Sequence, residues 1–247
     1  MHALRRLLGA AALIVVADGT AASSTTDLRF NGFAAGKRIV NVDARVDGQD
    51  EAFRAYAGTF SVTGTNPVDT FVAWCIDIAT TLHQAGTSKT YVKQDVLDAA
   101  QKADLQKLFD HAYDEDDVLS SQVKTAAFQV AIWDAIYEDD WNAGSIVPGA
   151  KADPLEPDYF RIIDVNAQSF TAVRDQANAY LALARDMSNP TPASYKLLQF
   201  DGRGETQSLV TVAAMPLPGG VLLLASGFGA AAMVRRRRRR GEDAAQA

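Results

Sequence analysis

Thr70-Phe71-Val72-Ala73-Trp74-Cys75-Ile76-Asp77-Ile78 is a run of β-branched, aromatic and small residues with neither glycine nor proline. Such a run reads as a strand, and alternation sets Cys75 on the side of Phe71 and Ala73, so its thiol is predicted to face the interior. Upstream, Arg38 to Arg45 and Phe53 to Thr63 repeat the alternating pattern between Gly-, Asp- and Asn-containing turns, which predicts a mostly antiparallel sheet. Downstream the period changes. From Gln94 to Tyr137, Val96, Ala100, Ala103, Leu108 and Ala112, then Val123, Ala126, Val130, Trp133 and Ile136, recur at helical spacing. A further helix is predicted from Asn166 to Met187, ended by Asn189-Pro190-Thr191-Pro192. Two last strands, Ser194 to Phe200 and Thr206 to Val212, flank the turn at Asp201-Gly202-Arg203-Gly204. Strands at both ends with helices between them predict an α+β fold: an antiparallel β-rich body, barrel or sandwich, with an inserted helical subdomain and terminal strands that share one sheet.

The flanks read as sorting segments. Arg5 and Arg6 precede an apolar stretch from Leu7 to Val16 and small residues up to Ala22, the layout of a secretory signal peptide over residues 1–22. Residues 23–37 are expected to be a linker and 38–212 the globular domain. From Met215 to Val234 no residue is charged, and the run closes on Arg235, Arg236, Arg237, Arg238, Arg239 and Arg240. Twenty residues at 1.5 Å each reach about 30 Å, the thickness of a bilayer core, which predicts one C-terminal transmembrane helix. The arginines would hold the tail, residues 241–247, in the cytoplasm and leave everything upstream outside.

Met215-Pro216-Leu217-Pro218-Gly219, followed by the apolar run and the arginine block, resembles the C-terminal sorting signal of the PEP-CTERM group in its VPLPA-type form. Met215 replaces that variant's usual valine and Gly219 its usual alanine. The resemblance implies Pro216 and Pro218 as sorting-motif residues over 213–240, an exosortase-like processing enzyme as partner, export through the inner membrane of a Gram-negative bacterium, and a role at the cell surface or in extracellular polymer.

Residues 23–214 keep 16 of the 24 basic and 27 of the 30 acidic residues, a balance of −11. Such a surface repels nucleic acid and anionic lipid. Asp114-Glu115-Asp116-Asp117 and Glu138-Asp139-Asp140 lack the spacing of a calcium loop and read as solvated helix ends. No metal or cofactor is expected. Besides His2 in the signal segment, the histidines are His83 and His111, and a cysteine protease pairing of either with Cys75 lacks any family signature.

Cys75 is the single cysteine of an exported chain, where cysteines usually come in pairs, so it is either buried and inert or kept for reactivity. Gln129 sits on the apolar face of the second helical run, where a primary amide needs partners. It either bonds to nearby backbone or, if the Cys75 sulfur lies against its carboxamide in a dry site, forms an intramolecular thioester with loss of ammonia. Trp74-Cys75-Ile76-Asp77 and Phe128-Gln129-Val130-Ala131-Ile132-Trp133 resemble the paired signatures of bacterial surface thioester domains, in the same order. Gly204-Glu205-Thr206-Gln207 is similar to that family's closing segment. The resemblance implies a β-rich body with a helical subdomain, Cys75 as acyl-carrying sulfur, Gln129 as acyl donor, Trp133 as a shield and Asp77 as an orienting group. It also implies covalent capture of an amine- or hydroxyl-bearing surface molecule, single-turnover chemistry rather than enzymatic turnover. The alternative is a non-covalent matrix component that binds extracellular polysaccharide.

Overall fold

The computed structural model describes residues 24–46, 49–65, 68–137, 160–163, 167–186 and 194–215. The signal segment and the expected transmembrane helix with its arginines lie outside these residues, as does Glu138-Asp139-Asp140. In chain order the elements are strands β1 (Ser24–Phe33), β2 (Arg38–Val46), β3 (Gln49–Ala57), β4 (Phe60–Thr65), β5 (Val68–Cys75) and β6 (Ser88–Lys93); helices α1 (Ala99–Ala112), α2 (Glu115–Val118) and α3 (Gln122–Tyr137); strand β7 (Phe160–Ile163); helix α4 (Ala167–Arg185); and strands β8 (Tyr195–Asp201) and β9 (Leu209–Ala214).

Six strands close an antiparallel barrel in the order β1-β4-β5-β9-β8-β6, and β3-β2-β7 form a separate sheet. The body is therefore a barrel, and the terminal strands do share its sheet, β9 lying between β5 and β8. The linker expected over residues 23–37 is corrected by β1. There Leu28 and Phe30 point inward while Asp27, Arg29 and Asn31 are exposed, an alternation of only two apolar positions. Two further strands went unpredicted for similar reasons. β6 has Tyr91 and Val92 as its buried positions, and β7 is four residues long.

The run Phe53 to Thr63 is not one strand. It divides at Gly58 and Thr59, where the chain leaves the second sheet at Ala57 and joins the barrel at Phe60. A Cβ on Gly58 would stand 2.7 Å from the Gly36 carbonyl oxygen, so two backbone segments cross there with no room for a side chain. Gly58→Ala is expected to lower stability by roughly 1–3 kcal/mol, measured as a shift of the denaturant midpoint at unchanged slope. The crossing is fixed further by Thr125 of α3, whose hydroxyl oxygen accepts from the Thr59 N–H at 2.8 Å and lies 2.5 Å from the Thr59 hydroxyl.

The helical stretch breaks into α1, α2 and α3. Asp98 caps α1, accepting from Gln101 N while the Gln101 side chain accepts from Asp98 N, a reciprocal pair that stops the helix starting earlier. α3 is apolar nearly all round and buried from Thr125 to Ile136, as a helix enclosed on every side must be. It runs between α1 and α4 on one side and the sheets on the other. Trp74 of β5 fills the joint between barrel and helices, its ring centroid 5.2 Å from those of Phe109 and Tyr113 and 5.6 Å from that of Phe128, all edge-on.

Candidate functional site

β5 ends at Cys75, and its ladder with β4 has already stopped, since Phe60, the first residue of β4, pairs with Ala73. On the other side Ile76 N–H donates to the Ser208 carbonyl at 3.0 Å. In an antiparallel ladder the neighbouring residue then turns its own N–H and C=O the opposite way, toward the place β4 has vacated. The Gln129 carboxamide occupies that place. Its Oε1 accepts from Cys75 N–H at 2.9 Å and its Nε2 donates to the Cys75 carbonyl at 2.8 Å. One side chain of α3 thus completes the strand, and both residues are fully buried.

The two-point clamp fixes the amide beside the Cys75 side chain. The thiol donates to the backbone carbonyl of Asp77 at 2.9 Å. Asp77 touches the sulfur through this carbonyl, while its charge disfavours the thiolate. Its carboxylate instead accepts from the N–H groups of Ala79 and Thr80, closing the turn that carries the chain away from β5. Burial pushes the Cys75 thiol up to about 12, opposed by the hydrogen bond to the Asp77 carbonyl and by the Trp133 indole. The Trp133 N–H lacks a hydrogen bond of good geometry, yet it lies close enough to the sulfur to favour its charged form. Trp133 also borders a cleft of about 1000 Å³, which neither Cys75 nor Gln129 lines. With Trp133 itself 1% exposed, the ring is a partition between cleft and pair.

The raised value has a measurable consequence for the unreacted protein. Below the ordinary thiol value of 9.0 both folded and unfolded chains hold the proton, and the stabilisation is complete. Above it only the folded chain does so, and stability falls as pH rises toward about 12. The loss should approach roughly 1.4 kcal/mol per pH unit across that window. Denaturant titrations of the wild type and Cys75→Ala should therefore diverge in slope only above the ordinary thiol range.

The hydrogen bond of His83 goes to Thr206. His83 Nδ1 lies 3.0 Å from the Thr206 hydroxyl, and burial, then the charge of Lys89, lowers its pKa and keeps it neutral. His111 lies in the last turn of α1. Thr206 also approaches the Tyr91 hydroxyl at 3.5 Å. Tyr91 is pushed up to about 12, first by burial, with a contribution from Cys75 that places the two in one electrostatic neighbourhood. Nothing in the sequence of β6 marked Tyr91 for that position. The acidic run at 114–117 is the start of α2: Asp114 accepts from the N–H groups of Asp116 and Asp117, while Asp117 pairs with Lys124 and accepts from Tyr180 at 3.0 Å.

No protein-family model matches the chain, and no curated protein matches it in sequence. Among solved structures, it is similar to the N-terminal domain of the Streptococcus pyogenes pilus tip adhesin Cpa, with 15% identity and a TM-score of 0.42 over 73% of this chain and 95% of that one. A second similarity is to the N-terminal thioester domain of the fibronectin-binding protein SfbI from Streptococcus pyogenes, with 14% identity and a TM-score of 0.40 over 72% and 94% of the two chains.

Proposed function

We propose that this is an exported surface protein whose domain forms a Cys75–Gln129 thioester and uses it to attach covalently to an amine or hydroxyl on a surface or matrix molecule. The observation that supports this most is the double hydrogen bond that holds the Gln129 carboxamide against the backbone of Cys75, in a buried site. The Cys75 N–H that binds Oε1 is placed to stabilise the negative charge that grows on that oxygen when sulfur attacks Cδ. The C–N bond then breaks, the thiol proton goes to the departing nitrogen, and ammonia leaves. A later amine attacks the same carbon, the C–S bond breaks, and the sulfur recovers a proton from the amine as an amide forms. Each domain does this once.

With the thiol at about 12, only about one molecule in 10⁵ carries a thiolate at neutral pH. Spontaneous closure from the amide form should therefore accelerate about tenfold per pH unit from neutral into the mildly alkaline range. Intact mass spectrometry tests the reading. A mass lower than the sequence value of the mature chain by one ammonia, restored and exceeded on methylamine treatment with a new free thiol at Cys75, supports it. A mass without that loss, at neutral and at alkaline pH, with Cys75 titratable on unfolding, removes it and leaves Gln129 as a packing residue that completes β5. The polysaccharide-binding alternative then becomes the working function. Residues 213–240 extend the proposal to an exosortase-like enzyme as processing partner, with the apolar run held in the membrane and Arg235 to Arg240 on its cytoplasmic side.

A further inference from the structure

The cleft beyond Trp133 has a wall of a particular kind. Phe53, Arg54, Ala55 and Tyr56 of β3 all border it, although successive side chains of a strand point to opposite faces. What borders the cleft is therefore the edge of β3. That edge is open: β3 is the outermost strand of its sheet, with β2 on its other side, and among the described residues its outward row of N–H and C=O groups meets no other strand. Four residues at about 3.3 Å each give roughly 13 Å of such edge. An exposed edge of this sort is a template for another extended backbone.

The charge lining the cleft differs from that of the chain. The protein carries a net charge of −6, yet among the described residues the cleft is bordered by Lys37 and Arg54 and by no carboxylate. Neither cation has an ion-pair partner among the described residues. The Lys37 ammonium rests on aromatic rings instead, 3.5 Å from the centroid of Tyr56 and 5.0 Å from that of Phe33. Both cationic side chains are exposed.

We propose that this cleft binds an extended acidic peptide segment, which adds to β3 as a fourth strand of the β3-β2-β7 sheet. The backbone edge supplies the pairing, Lys37 and Arg54 select carboxylate side chains, and the rings of Phe33 and Tyr56 receive the apolar parts of the segment. A polysaccharide could meet the rings and cations, but it has no row of donors and acceptors to match the edge at the inter-strand spacing of about 4.8 Å. The site does not require the thioester, because neither Cys75 nor Gln129 borders the cleft.

The test uses full-length protein carrying Cys75→Ala, so that no covalent capture contributes. A display library of extended octapeptides, with alternate positions drawn equally from acidic, basic and neutral residues, is selected against it. Enrichment of acidic peptides is expected, together with slowed amide exchange over residues 49–57 on binding. Affinity should fall about tenfold in the Lys37→Glu, Arg54→Glu double variant, whose exposed positions leave folding intact, and binding should be lost when alternate peptide nitrogens along one edge are methylated. The proposal is overturned if the enriched peptides are not acidic, if no peptide is enriched, if exchange over residues 49–57 is unchanged, or if the double variant binds as tightly as its parent.

Discussion

Gln129→Ala is expected to lower the stability of the unreacted domain by about 3–5 kcal/mol. Two effects add. The substitution strips partners from the Cys75 N–H and C=O, which are buried where neither water nor β4 reaches them, and an orphaned buried polar group costs about 1–3 kcal/mol. It also leaves a cavity between α3 and the end of β5. Cys75→Ala should cost only about 1–2 kcal/mol, because the backbone hydrogen bonds to Gln129 survive. The asymmetry is informative. Equal costs at the two positions would show that the backbone clamp carries no stability of its own. Gln129→Glu adds a second arm. A protonated glutamic acid can both accept from Cys75 N–H and donate to its carbonyl, whereas the carboxylate cannot donate. Burial raises the folded-state pKa of such a group. The variant should therefore approach wild-type stability below the ordinary carboxyl range and lose it as pH rises through the folded value. Denaturant unfolding across pH measures both arms.

Trp133→Ala is expected to cost about 3–5 kcal/mol and to change reactivity as well as stability. The indole is almost wholly enclosed and forms the partition between the cleft and the Cys75–Gln129 pair. Without it the cleft opens onto the sulfur, so alkylation of Cys75 by iodoacetamide in the amide form, or hydrolysis in the thioester form, should accelerate sharply. Leu105→Ala, at a fully buried position of α1, is the control for destabilisation alone. Equal acceleration in both variants would mean that reagent reaches Cys75 through unfolding, and the partition would have no special part. Trp133→Phe, which keeps most of the barrier, should stay near wild type in both measurements.

The sequence exposed the site more fully than the fold. Cys75 and Gln129 stood out because each broke an expectation, an unpaired cysteine in an exported chain and an amide on an apolar face, and the structure brings them together through backbone hydrogen bonds. The resemblance implies Asp77 as an orienting group, and it is the Asp77 backbone carbonyl that meets the sulfur, a contact that any residue could make and no side-chain pattern could reveal. β1 escaped notice because a strand in a closed barrel needs only a few inward positions, and Leu28 and Phe30 suffice. The break at Gly58 was hidden because it arises from a crossing with Gly36, 22 positions earlier in the chain, which period and composition do not encode. The outermost place of β3 in its sheet was likewise out of reach, since strand order depends on partners remote in sequence.

β9 is an inner strand of the barrel, held by β8 from Tyr195↔Ala214 to Phe200↔Leu209 and by β5 through Trp74↔Val210 and Cys75↔Leu209. A pull transmitted through the residues that follow Ala214 runs along the axis of β9, so both ladders are loaded in shear and their hydrogen bonds share the load together instead of opening one after another. The same strand lies directly against Cys75. Tension applied at one end of the domain therefore reaches Cys75 across a single row of backbone pairs, a short mechanical path through buried structure.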